Sequence, residues 1–93
     1  MLDAEAFKNF RDRSLEGQVE IIRWQFADEW EAWIRQADTE EAFTNEERSF
    51  PADARGGKKL PQHPWVKSKL TRICNDHQLG EGQVAEMLKT IME

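Results

Sequence analysis

Cys74 and His77 stand three residues apart in WVKSKLTRICNDH, a spacing that brings two side chains to one side of a helix. A thiol beside an imidazole is the beginning of a nucleophile and its base. The chemistry also needs a residue that orients the base and a donor nest for the oxyanion, and the sequence shows neither. Both residues fall with Val66, Leu70 and Ile73 on the apolar side of the segment, where a small cysteine and a satisfied histidine are ordinary core constituents. Adding His63 completes three potential metal ligands, but their spacing matches no standard zinc pattern. The carboxylates Asp28, Glu29 and Glu31 and the run from Asp38 to Glu47 lack the alternating ligands and central glycine of an EF-hand loop. The expectation is a protein that is not an enzyme and holds no metal or cofactor.

Charge is the more informative pattern. Residues 1–54 carry fourteen acidic and six basic side chains, whereas residues 55–93 carry seven basic and four acidic ones, within a chain of 93 residues and net charge -5. From Arg55 to Arg72 the cations Arg55, Lys58, Lys59, Lys67, Lys69 and Arg72 meet no acidic residue. Such an island fits an acidic protein surface, of this chain or another, and in a two-fold dimer the acidic half of one subunit would face the basic half of its twin. Ile21 and Trp24, off the main apolar stripe of their helix, would add apolar contact unless the first helix folds back to cover them with Phe7 or Phe10. The residues expected to bind a protein partner with an acidic or apolar surface are therefore Ile21, Trp24, Arg55, Lys58, Lys59 and Lys67.

The alternative is nucleic acid, with Arg55, Lys58, Lys59, Lys67, Lys69 and Arg72 on phosphates and Trp65 stacked on a base. A helix-turn-helix in the last thirty or so residues has support in Cys74, Leu79 and Val84. Its second helix, however, offers solvent Gln83, Glu86, Lys89, Thr90 and Glu93, poor equipment for a phosphate-lined groove. A third possibility, an acidic helix imitating nucleic-acid phosphates, is weakened by the basic island that would compensate its field.

These residues must be positioned by a small all-α domain spanning 1–93, a bundle of four or five helices with a C-terminal helical hairpin. Apolar residues make up 39% and charged residues 33%, so four Trp and five Phe must carry much of the core. A first helix is expected over residues 4–13, capped by Asp3 and contributing Leu2, Phe7 and Phe10, with a break near Gly17. Val19, Ile22, Phe26, Trp30, Trp33 and Ala37 then form one stripe at helical spacing, the core face of a long helix. Thr39 and Thr44 are possible caps of a short helix bearing Phe43 and Phe50, and Thr44 with Glu47 has capping-box spacing. Pro51 is expected to end that helix and open a Pro/Gly-rich basic loop over about 51–64. Pro64 suits the first turn of the next helix, QLGEGQ makes a turn, and Val84, Met87, Leu88 and Ile91 face inward from the last helix.

No apolar run is long enough to span a membrane, and MLDAEAFKNF lacks the basic and apolar regions of a signal peptide. A single cysteine fits a reducing compartment. The expected location is the cytoplasm.

Overall fold

The computed structural model describes residues 10–37 and 42–93. The Asp3 cap, Leu2, Phe7 and most of the expected first helix, together with Thr39 and the acidic residues 38–41, lie outside the described residues. Among the described residues the chain forms four helices, α1 (Leu15–Gln36), α2 (Asn45–Arg55), α3 (Pro64–Asp76) and α4 (Glu81–Met92), and no strand. None of these helices is long and apolar enough to cross a membrane.

The break expected near Gly17 falls at Ser14, and a cap causes it. Ser14 Oγ accepts a 3.2 Å hydrogen bond from the Gly17 amide, satisfying one of the donors that a helix start leaves unpaired, and Gly17 sits inside the first turn. From there Val19, Ile22, Phe26 and Trp30 are buried as the stripe requires, joined by Ala27, while Trp33 and Ala37 are partly buried at its far end. α1 is the central helix, packing against α2, α3 and α4, with α3 and α4 also packed on each other as a hairpin.

α2 begins with the expected capping box. Thr44 Oγ1 accepts from the Glu47 amide at 3.1 Å, and the Glu47 carboxylate accepts from the Thr44 amide at 2.7 Å. Its other end differs from expectation, because Pro51 lies inside the helix and α2 continues to Arg55. A proline removes the N–H that would bond the carbonyl four residues back, here that of Glu47. That carbonyl instead accepts from the Trp30 indole Nε1–H at 2.9 Å, so a side chain of α1 repairs the ladder that Pro51 interrupts. The Pro51 ring is buried, which gives the interruption a packing role.

α2 ends in a Schellman motif, with Gly57 at φ +77° and the Lys58 amide bonded to Asp53 O at 2.9 Å. The connection to α3 is therefore residues 56–63, shorter than expected, and it is pinned. Leu60 is buried in the core and its amide donates 2.9 Å to Ile91 O at the end of α4. His63 is the N-cap of α3, accepting on Nδ1 from the Trp65 amide at 3.2 Å, and Pro64 takes the first helical position as anticipated. Val66, Leu70, Ile73, Cys74 and His77 are buried from α3 and its C-cap, and Met87, Ile91 and Met92 from α4.

Candidate functional site

The basic island is contiguous in sequence and divided in space. Arg55, at the C-terminal end of α2, reaches across to α1, where Nη1 and Nη2 hold both carboxylate oxygens of Glu31 and Nη2 also donates to Asp28 Oδ1 at 2.7 Å. Hydrogen bonds from Glu31 first, then Asp28, raise the Arg55 pKa above its ordinary value, and the same contact lowers that of Glu31. Arg72, on α3, donates to Glu29 Oε1 at 2.7 Å. Two of the six island cations thus meet the acidic face of α1 within the molecule. Lys58, Lys59 and Lys67 are exposed, with no carboxylate among the described residues within ion-pair distance.

Ile21 and Trp24 part company as well. Phe10 is buried and stacks on His77 at 4.1 Å, while Ile21 is half-buried against the core and contributes to packing. Trp24 remains 48% exposed, its ring beneath the Arg55 guanidinium at 5.6 Å. Arg55, held by two carboxylates, thus gives Trp24 a cation–π contact, worth about 0.5–1 kcal/mol at an exposed site.

Beside that pair lies a cleft of about 430 Å³ between the N-terminal half of α1 and the end of α2. Trp24 and Arg55 form part of its wall, Val19 and Ala54 supply apolar lining, and Gly56 and Gly57 contribute no side chain that would narrow it. Arg23 also lines it, only 9% exposed, with Nη1 donating 2.7 Å to the Lys58 carbonyl. Burial lowers the Arg23 pKa from its ordinary value. Arg23 was absent from the expected site, yet a signal exists in the sequence. Four residues after Val19 and three before Phe26, it is a lone cation inside the apolar arc of α1.

Trp65, Lys69 and Arg72 gather on another side of α1, around Trp33, which is nine residues and so about half a turn away from Trp24 in angle. The Trp33 and Trp65 rings are 5.3 Å apart, Lys69 Nζ lies 5.2 Å from the centre of the Trp33 ring, and Trp65 is 45% exposed. The pocket they line with Ser68 measures about 340 Å³. His63 Nε2 binds Glu47 Oε2 at 2.9 Å, and since its Nδ1 accepts from Trp65, the ring proton is the one given to Glu47. The Glu47 carboxyl is held below its ordinary pKa, first by the Thr44 amide and further by its other partners, Thr44 Oγ1 and His63.

The Cys74 and His77 pair belongs to the core. Cys74 is fully buried, which pushes its thiol up to about 11 and leaves it protonated at neutral pH. His77 is 2% exposed, with Nε2 at 2.9 Å from Gln25 Oε1, and burial lowers its pKa. Among the described residues no three His, Cys, Asp or Glu side chains stand together as a metal site. In the hairpin, Gln83, Glu86, Lys89, Thr90 and Glu93 are all exposed, so the second helix presents a mixed surface with two glutamates and one lysine to solvent. No protein-family model, curated protein or solved structure matches the chain.

Proposed function

We propose that the protein is a non-enzymatic protein-binding module, acting in the cytoplasm as a regulator of a larger partner or of a second copy of itself, through the surface around Trp24. The observation that carries this reading is a half-exposed tryptophan on the wall of a cleft, in cation–π contact with an arginine that two carboxylates hold. Tryptophan and arginine dominate the energetics of protein interfaces, and an anchor ordered before binding loses little conformational freedom on association. Lys58 and Lys59, exposed next to the cleft wall in sequence, would steer an acidic partner.

The test is capture from nuclease-treated lysate of the source organism, comparing the natural protein with Trp24→Ala. The specific partner should be lost with the substitution, as the solvent-exposed position leaves the core intact. Retention of every captured protein by Trp24→Ala would remove this surface from consideration. Solution mass decides the homotypic version, since a strict monomer at working concentration eliminates the dimer.

Nucleic-acid binding is the second reading, favoured by the half-exposed Trp65 beside Lys69, Ser68 and Arg72. It predicts affinity for single strands that falls steeply with salt and drops on replacing Lys67 and Lys69, with Trp24→Ala having no effect. The internal engagement of Arg55 and Arg72 reduces the cations open to phosphate, and it likewise offsets the acidic field that phosphate mimicry would need.

A further inference from the structure

Arg23 carries five N–H donors on its guanidinium, and one hydrogen bond from it is made, to the neutral carbonyl of Lys58. Its remaining donors are neither bonded to other described residues nor sealed from solvent, and the cleft is where the residue meets solvent. Among the described residues no carboxylate lies within ion-pair distance of it, although Glu16 and Glu20 line the same cleft. Arg55, in the wall of the same cleft, is by contrast engaged by Asp28 and Glu31. A largely buried cation without a counter-charge is an expensive arrangement unless an anion completes it.

From this geometry we infer that the cleft receives a single carboxylate-bearing side chain of the partner protein, with the carboxylate on Arg23 and the apolar flank of the same segment against Trp24. This rests on the protein-binding reading and names the chemistry of the partner. At about 430 Å³ the cleft is within the range of side-chain and small-ligand pockets, so one acidic residue and part of its neighbour fit. Gly57 leaves open space at the rim, as a Cβ there would meet nothing within 4 Å. The cleft also discriminates: Glu16 and Glu20 at its edge, with Asp28 nearby on α1, would repel a polyanion, whereas one carboxylate shielded by an apolar neighbour approaches the guanidinium and leaves the edge acids in water. Geometry of this kind favours an acidic-apolar peptide segment over a phosphate backbone.

Benzoate, a carboxylate on an apolar plate, is a suitable probe, with benzamide as its neutral counterpart. Nitrogen-15 spectra would follow the Arg23 Nε–H and Trp24 indole signals during titration at constant ionic strength. Saturable shifts at both are expected with benzoate, and benzamide should bind at least about tenfold more weakly, the ratio for losing one charge-assisted hydrogen bond. Arg23→Met should abolish the benzoate response, and Trp24→Ala, whose exposed site spares the fold if Arg23→Met does not, should weaken it several-fold. Equal response to both probes, benzoate shifts confined to Lys58 and Lys59, undiminished binding by Trp24→Ala, or no saturable shift would each overturn the inference. Because the probe is not a protein, a negative result leaves the capture experiment to judge the module on its own, and loss of capture specificity leaves benzoate binding to judge the cleft.

Discussion

Trp30 is fully buried and touches Phe26, Trp33, Phe43, Phe50 and His63 with its ring, but its single polar atom has the more specific task. The indole N–H occupies the acceptor that Pro51 strands on Glu47. Replacing Trp30 with phenylalanine leaves a buried carbonyl without a donor, at a cost of about 1–3 kcal/mol beyond the lost ring volume. Pro51→Ala restores a backbone N–H that can bond the same carbonyl, so Trp30→Phe should cost about 1 kcal/mol less in a Pro51→Ala background. Urea unfolding of the four proteins measures this coupling, and the volume change, common to both backgrounds, cancels. Equal costs in the two backgrounds would show that the indole and the proline are independent. A residue-by-residue reading could not see this pairing, because the donor that makes Pro51 tolerable comes from another helix 21 positions earlier.

At the level of helices, most of the architecture is legible in the spacing of apolar residues. The stripe of α1, the inward faces of α3 and α4, the Thr44–Glu47 box and Pro64 at a helix start all follow from periodicity and capping chemistry that act within a few residues. Failures occur where a distant group decides the outcome, as for Pro51 and for the basic island that α1 divides between Trp24 and Trp33. Ile21 and Trp24 illustrate a finer limit, since two side chains about 60° apart on a helix can straddle the core edge, one half-buried and the other exposed. Helix ends also hide a strained position. The last turn of α3 closes in a Schellman motif like that of α2, with Leu79 N bonded to Cys74 O at 3.2 Å, but the left-handed residue is Gln78, φ 62°, where α2 uses Gly57. A side chain in that conformation costs on the order of 1 kcal/mol. Gln78→Gly should therefore stabilise the protein by about 1 kcal/mol, less the small contribution of the exposed bond from Arg11 to Gln78, and Gly57→Ala should destabilise it similarly. Thermal midpoints moving the opposite way would refute this account of the two turns.

Over the whole molecule, the acidic and basic halves of the chain close on one another through Arg55 and Arg72, while the buried His77 and Glu47, with Glu31 on Arg55, shape how the fold responds to acid. His77 has its pKa lowered from 6.5 by burial, so the unfolded chain takes up a proton that the folded one refuses. The unfolded state then binds more protons, and stability must fall as pH drops below that ordinary value. Glu47 acts lower on the scale: its pKa is depressed from 4.5 by the Thr44 amide and its other partners, so its contribution is complete above 4.5 and is lost as pH falls through the folded value. The thermal midpoint should accordingly decline in two stages on acidification, the first beginning near 6.5 and the second below 4.5. His77→Gln removes the first stage and leaves the second, because an amide at that position does not titrate; Glu47→Gln keeps the first stage and reduces the second, to which Glu31 on Arg55 also contributes, while lowering stability at neutral pH through the weakened capping box and His63 contact. Calorimetric scans from pH 8 to pH 3 on the three proteins decide the matter, and a midpoint in the natural protein that stays level down to pH 5, or a first stage that persists in His77→Gln, would place the acid sensitivity elsewhere.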